Sequence, residues 1–355
     1  MNDRPFYTGR GGRDPKAGDA LPTVDPKALR APQGYRATAQ TAAAVNVALT
    51  LGMPLLLTGE PGSGKSGLAY SIAWELGLSE PLRFPVKSDT ESRDLFYRFD
   101  TVGRFHAAQT LTRDDPGVDP GRFIAFEALG QAILLAKPGR IIGDLGLPDY
   151  AVGHPGMQSR SVVLIDEIDK ASRDVPNDSL VEIENMQFDV PELSGAGRPR
   201  VRVTLEEDEN RYRPIVVFTR NSEKALPVPF LRRCVYHHLQ FPRFEEELRA
   251  RGEKVSEDHV TVEAIVNARL GTRYQGRDET ARRIADAVGF FRYLRREETA
   301  LERSPTLAEL LDWLDYLMPH RSAARWRNGG PSPLSGGRAS LPVMPDFGPA
   351  SRACC

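Results

Sequence analysis

Apolar and polar positions change period several times along this chain. Residues 37–51, ATAQTAAAVNVALTL, are rich in strong helix formers and stop at Gly52, which predicts a helix. MPLLLT (53–58) is a short apolar block between Gly52 and Gly59. Such a run between glycines predicts a strand buried on both faces, as in a parallel sheet. SGLAYSIAWEL (66–76) returns to helical spacing and ends at Gly77. Further strands are predicted at Leu82–Val86, Ser161–Ile165, 214–219 (PIVVFT) and 234–241 (CVYHHLQF). Helices are predicted at 123–136 (FIAFEALGQAILLA) and Asn177–Asn185, and FDVPEL, a Gly-rich turn at Ser194–Gly197 and VRVTL predict a hairpin. The stretch 87–160 is longer than a simple strand–helix unit needs, so an insertion is expected there.

Strands alternating with helices imply an α/β fold of three layers, a parallel five-stranded sheet with helices on both faces. From Pro242 the texture changes. FEEELRARG, VEAIVNARL, TARRIADAVGFFRYLRRE and LAELLDWLDYL read as four amphipathic helices of a small all-helical domain. The expected organisation is a flexible arm at 1–34, the αβα domain at 35–241, the helical domain at 242–327 and a disordered Gly/Pro/Ser tail at 328–355.

Composition narrows the function classes. Forty-seven Lys and Arg against 48 Asp and Glu leave a formal net charge of -1, so nucleic acid is not an expected partner. No apolar run approaches the roughly 18–20 residues that span a bilayer, so no membrane partner is expected. The N-terminal segment has no apolar signal core. Cys234, Cys354 and Cys355 have neither disulfide nor zinc spacing, and a cytoplasmic location with reduced thiols is expected.

Chemistry concentrates at the predicted strand ends. Gly59, Glu60, Pro61, Gly62, Ser63, Gly64, Lys65 and Ser66 fit G-x-x-x-x-G-K-[ST], with Gly67 following inside the helix. Glycines let the backbone curl so that successive N–H groups face phosphate oxygens, and the helix start adds a positive end. Lys65 is expected to reach the β- and γ-phosphates of ATP, and Ser66 to ligate Mg²⁺. Asp166 and Glu167 close the strand VVLI, where Asp166 is placed for the metal and Glu167 for the attacking water. Asn221, just past the strand ending at Thr219, can hydrogen-bond that water or the γ-phosphate. Arg232 and Arg233 read either as a solvated surface pair or, in a ring, as cations for a neighbour's nucleotide. Asp169 and Lys170 read as an exposed ion pair or an interface contact. His237 and His238 point to opposite faces of a strand, and His106, Trp74 and Trp313 read as packing residues.

GEPGSGKS, LIDEIDKASRDVPNDSLVEIENMQFDVPEL and IVVFTRNSEKALPVPFLRRCVYHHLQFP together resemble the MoxR-type branch of AAA+ ATPases, close to the dynein-related group, over about residues 40–320. The resemblance implies a P-loop NTPase fold with a helical lid and a homo-oligomer, a hexameric ring. In it Asn221 acts as sensor 1, Arg232 and Arg233 as arginine fingers, and the hairpin as a pre-sensor insertion. It also implies a chaperone-like remodeller with a protein client, such as a von Willebrand factor A domain protein, and a likeness to ATPases of bacterial conflict systems. One departure stands out: where relatives carry a sensor 2 arginine after Ser-Pro, Ser304-Pro305 is followed by Thr306. Either Arg303 substitutes, or the lid contacts ATP differently, or coupling is weaker. Two functions stay open, an ATP-driven remodeller and a nucleotide-gated switch or scaffold with little turnover.

Overall fold

In the computed structural model, residues 31–111, 115, 117, 119–145, 153–194, 201–221, 225–256, 259–274, 278–296 and 303–317 are described. They fall within one compact unit, Val24–Leu317. The expected tail at 328–355, most of the arm, Cys354, Cys355 and the turn residues 195–197 lie outside the described residues.

Five strands form one sheet: β1 (Leu55–Gly59), β2 (Leu82–Pro85), β5 (Val162–Asp166), β8 (Ile215–Thr219) and β9 (Val235–Leu239). Their order is β2-β5-β8-β1-β9, and every pairing is parallel. β1 and β5 are buried at every residue, whereas the edge strands β2 and β9 are partly exposed. Side chains alternate between two cores, as the strand pleat requires. Leu56, Val163, Ile165, Val216 and Phe218 pack on one side with α4 (Ala128–Ala136). Leu55, Leu57, Val162, Leu164 and Val217 pack on the other with α1 (Ala39–Leu51) and α2 (Lys65–Glu75). The apolar runs read from the sequence are these doubly covered strands.

Two expected helices come out differently. In 123–136 only Ala128–Ala136 is α-helical, because β4 (Ile124–Phe126) pairs antiparallel with β3 (Tyr97–Phe99). Ile124 and Phe126 are β-prone, the segment gains a ladder and Phe126 packs on Phe188, and long-range pairing overrides local helix preference. Asn177–Asn185 divides into α6 (Asp174–Asp178) and α7 (Leu180–Asn185). At the junction the Ser179 hydroxyl donates to Val175 O at 2.8 Å, a local bond that competes with a continuous helix. The expected insertion holds β3, β4, α3 (Thr101–Thr110), α4 and α5 (Ile141–Asp144). The hairpin is present as β6 (Gln187–Asp189) and β7 (Arg202–Thr204). It is tied to α4 by Lys137, whose buried Nζ donates to Thr204 O and Glu209 Oε2, both at 2.6 Å.

After α8 (Val228–Arg232) and β9, the chain forms α9 (Glu245–Ala250), α10 (Val262–Tyr274), α11 (Asp278–Leu294) and α12 (Leu307–Leu317). Leu248, Val266, Phe291, Leu310 and Leu314 are buried there. The end of the expected arm, Pro32–Gly34, forms a 3-10 turn packed on α2 and α10. Among the described residues no helix is long and apolar enough to cross a membrane. The Cys234 thiol is buried, which pushes its pKa up to about 12.

At Gly130 the helix presses on the backbone of Phe96: a Cβ there would lie 2.1 Å from Phe96 O. Gly130→Ala is expected to cost about 1–3 kcal/mol by overpacking. Gly143→Ala, with nothing within 4 Å of its added Cβ, is expected to be neutral or slightly stabilising. Denaturant melts of the two variants check this.

Candidate nucleotide site

The loop between β1 and α2 turns through two glycines with positive φ, Gly62 at 70° and Gly64 at 92°, values that a side chain would strain. The turn delivers Lys65 to the first position of α2, at the helix's positive end. Lys65 is 6% exposed, and its Nζ donates to Gly59 O and Glu60 O, each at 2.9 Å. Burial lowers the Lys65 pKa, opposed by the charges of Asp166, Asp169, Glu167 and Glu60.

One residue further, the Ser66 hydroxyl donates to Asp166 Oδ1 at 2.9 Å. The same oxygen accepts from the Thr219 hydroxyl at 2.6 Å, and Oδ2 accepts from Arg83 Nε at 3.1 Å and Nη2 at 2.6 Å. Burial alone would raise the Asp166 pKa. The bonds from Thr219, Arg83 and Ser66, with the charge of Arg83, outweigh burial and hold it below the ordinary carboxylate value.

Glu167 follows in the left-handed region, with φ 61° and ψ 53°. This conformation is costly without glycine, and it turns the side chain off the strand line. Its N–H donates to Thr219 Oγ1 at 2.9 Å, so one hydroxyl links both acids. Glu167 Oε1 accepts from Asn221 Nδ2 at 2.6 Å, and Oε2 pairs with Lys170 Nζ. The structure thus brings Lys65, Ser66, Asp166, Glu167 and Asn221 together at the C-terminal ends of β1, β5 and β8, where parallel sheets open their ligand crevice. They line a cavity of about 1320 Å³ that extends past Tyr35 to His237 and Arg269.

Residues 54–233, about half of the chain, match the model of the AAA domain, dynein-related subfamily. The chain belongs to this family. Its αβα sheet and phosphate loop are the P-loop NTPase architecture expected from the sequence, and the match spans the loop, both acids, Asn221, Arg232 and Arg233. No curated protein sequence matches the chain with significance. Among solved structures, the Thermotoga maritima RuvB Holliday junction branch migration motor is similar at 14% identity and a TM-score of 0.31. That likeness covers 78% of this chain and 66% of RuvB. Hsp104 in a closed state with ATPγS and casein is similar at 16% identity and a TM-score of 0.37, covering 81% of this chain and 46% of Hsp104. The chain therefore spans just under two thirds of RuvB and less than half of Hsp104.

In this AAA protein, Arg232 and Arg233 lie exposed at the end of α8 and do not line the cavity. Arg233 Nε donates to Glu184 Oε2 at 3.1 Å. The exposed ion pair or interface contact expected of Asp169 and Lys170 fails at Asp169, which is buried. Asp169 is 2% exposed and accepts from the Asn221 N–H at 3.4 Å, while Lys170 serves Glu167. His237 bonds Thr41 on α1 and His238 bonds Thr58 on β1. Trp74 and His106 are exposed rather than packed, whereas Trp313 lies 5.8 Å from Phe290.

Arg303 pairs with Glu309 at the start of α12. Among the described residues of the helical region, Thr306 and Arg295 reach the phosphate loop. Thr306 sits against Gly62, where a Cβ would come within 2.7 Å of it. Arg295 Nη2 donates to Glu60 Oε2 at 2.9 Å and Nη1 to Pro305 O at 2.6 Å, with the guanidinium 3.6 Å from the Phe241 ring centroid. Sequence reasoning missed Arg83, Thr219 and Arg295. A hydroxyl closing the buried strand IVVFT was the signal for Thr219, and an arginine inside a predicted strand the signal for Arg83.

Thr219→Val keeps the shape but takes the acceptor from the Glu167 N–H and one of two hydroxyl donors from Asp166 Oδ1, which costs about 1–3 kcal/mol at pH 7. Asp166 has a depressed folded pKa, so its stabilisation is complete above the unfolded value near ~3.9 and lost as pH falls through the lower folded value. The variant has less of this stabilisation to lose. The gap between it and wild type is therefore expected to narrow from pH 7 to pH 3, measured by denaturant unfolding.

Proposed function

We propose that this protein is a Mg²⁺-dependent ATPase of the MoxR type. The observation that carries the reading is the meeting of Lys65, Ser66, Asp166, Glu167 and Asn221 at one cavity. The donors fit the metal. Ser66 Oγ and Asp166 Oδ1 are hard oxygens 2.9 Å apart, and Mg²⁺ takes one or two such protein ligands with the rest from phosphate and water. When bound, the metal neutralises charge on the β- and γ-phosphates.

The chain's own residues do the rest. Main-chain N–H groups of 59–66 grip the triphosphate, and Lys65 exchanges its carbonyl partners for phosphate oxygens. Glu167 orients and polarises the attacking water, and Asn221 fixes its carboxylate. Lys170 on the other oxygen supports a second reading, a nucleotide-gated switch with little turnover, because a carboxylate held by donors on both oxygens is less free to meet the water.

In a homo-oligomeric, hexameric ring, the exposed Arg232 and Arg233 would reach the neighbour's γ-phosphate. The Arg233–Glu184 pair is half exposed and cheap to exchange. Helices α9–α12 form a lid that senses nucleotide through Thr306 and Arg295. The work done is remodelling of a cytoplasmic protein client, for which a von Willebrand factor A domain protein is a candidate partner.

Lys65→Ala is expected to abolish Mg·ATP binding. Glu167→Gln should keep ATP affinity and lose turnover by at least ~100-fold. Arg232→Ala and Arg233→Ala should keep affinity, with at least one losing about 10³-fold in turnover. Phosphate release and fluorescent nucleotide binding read all four. Normal turnover by Glu167→Gln would remove the assignment of that carboxylate, and traces of turnover in wild type would favour the switch.

A further inference from the structure

The Asp166 side chain is 9% exposed, and each of its oxygens is engaged by protein donors. Oδ1 takes two hydroxyls, Ser66 and Thr219, and Oδ2 takes two N–H groups of the Arg83 fork. Arg83 stands on β2, next to β5 in the sheet and two residues before Pro85, the register partner of Asp166. β2 is an edge strand, and the Arg83 side chain is 54% exposed and lines the same cavity as Lys65 and Ser66. The guanidinium can therefore leave Asp166 for water without repacking the core. Asp166 cannot leave, because it closes a buried strand.

We propose that Arg83 is a built-in counter-cation that competes with the divalent metal for Asp166. Resting on the Mg·ATP reading of this site, the proposal assigns a role to a residue outside the phosphate loop and the acid pair. A buried carboxylate without a positive partner is unstable, so the protein supplies one before the metal arrives. A metal on Oδ1 and the guanidinium on Oδ2 would stand only a few ångströms apart across one carboxylate, and in a partly buried site their repulsion is weakly screened. Metal entry is thus an exchange: Mg²⁺ gains Asp166 as Arg83 gives it up. Arg83 stabilises the metal-free protein and raises the Mg²⁺ concentration needed to fill the site. It is a positioning residue, acting through Asp166.

The test compares full-length wild type, Arg83→Gln and Arg83→Lys. Binding of a fluorescent ATP analogue is titrated with Mg²⁺, and melting temperature is read in EDTA and in Mg·ATP. Arg83→Gln is expected to reach half-saturation at an Mg²⁺ concentration lower by about 5-fold or more, with Arg83→Lys between it and wild type. Its melting temperature should fall below wild type in EDTA, and the gap should close in Mg·ATP. An unchanged Mg²⁺ requirement would overturn the proposal. So would a raised one, which would make Arg83 a ligand of the phosphates. If Arg83→Gln does not fold, Arg83→Lys carries the same test, and a wild-type Mg²⁺ requirement in it overturns the proposal. Wild type that binds no analogue at any Mg²⁺ level would overturn the nucleotide reading itself, a failure separable from the other two.

Discussion

A carboxylate placed where water barely reaches must be surrounded by donors, and Asp166 sets that constraint on the whole site. Its charged form is disfavoured by burial, so the fold brings it hydroxyls from α2 and β8 and a guanidinium from β2. Those bonds fix the phosphate loop to the sheet through Ser66. They also fix the next residue, because Thr219 meets Asp166 with its hydrogen and the Glu167 N–H with its lone pair. The strained backbone at Glu167 is held in this way, and the strain aims the carboxylate at Asn221.

The sheet's order makes this arrangement possible. β5, β8 and β1 are adjacent, so the acid pair, the amide and the phosphate loop all leave the sheet at the same edge. The doubly covered strands hold these ends rigid, while the helical region meets the loop from outside through Thr306 and Arg295. Arg295 is mostly shielded, stacked over Phe241 and bound to Glu60, and so joins the end of α11 to the phosphate loop.

Much of this was legible in the sequence because it is local. The central strands β1, β5 and β8 show as apolar blocks, the loop as a spaced glycine pattern, and Asp166, Glu167 and Asn221 as polar residues where apolar runs stop. What was not legible depends on contacts distant in sequence. Ile124–Phe126 has helical neighbours and becomes a strand only because Tyr97–Phe99 is there to pair with it. Asp169 reads as a surface acid, yet it is buried beneath Asn221. The arginine after Ser-Pro is missing, and Arg303 is the nearest in sequence. The arginine that reaches the phosphate loop is Arg295, at the end of α11, because the helix packing carries it there. Local pattern gave no means of choosing between them.

The most direct measurement is a structure of the protein with Mg²⁺ and a non-hydrolysable ATP analogue. The β- and γ-phosphates are expected on the main-chain N–H groups of 59–66, with Lys65 Nζ moved from Gly59 O and Glu60 O onto phosphate oxygens. A nucleotide seated elsewhere, or a Lys65 still bound to its own loop carbonyls beside a bound triphosphate, would contradict the assignment.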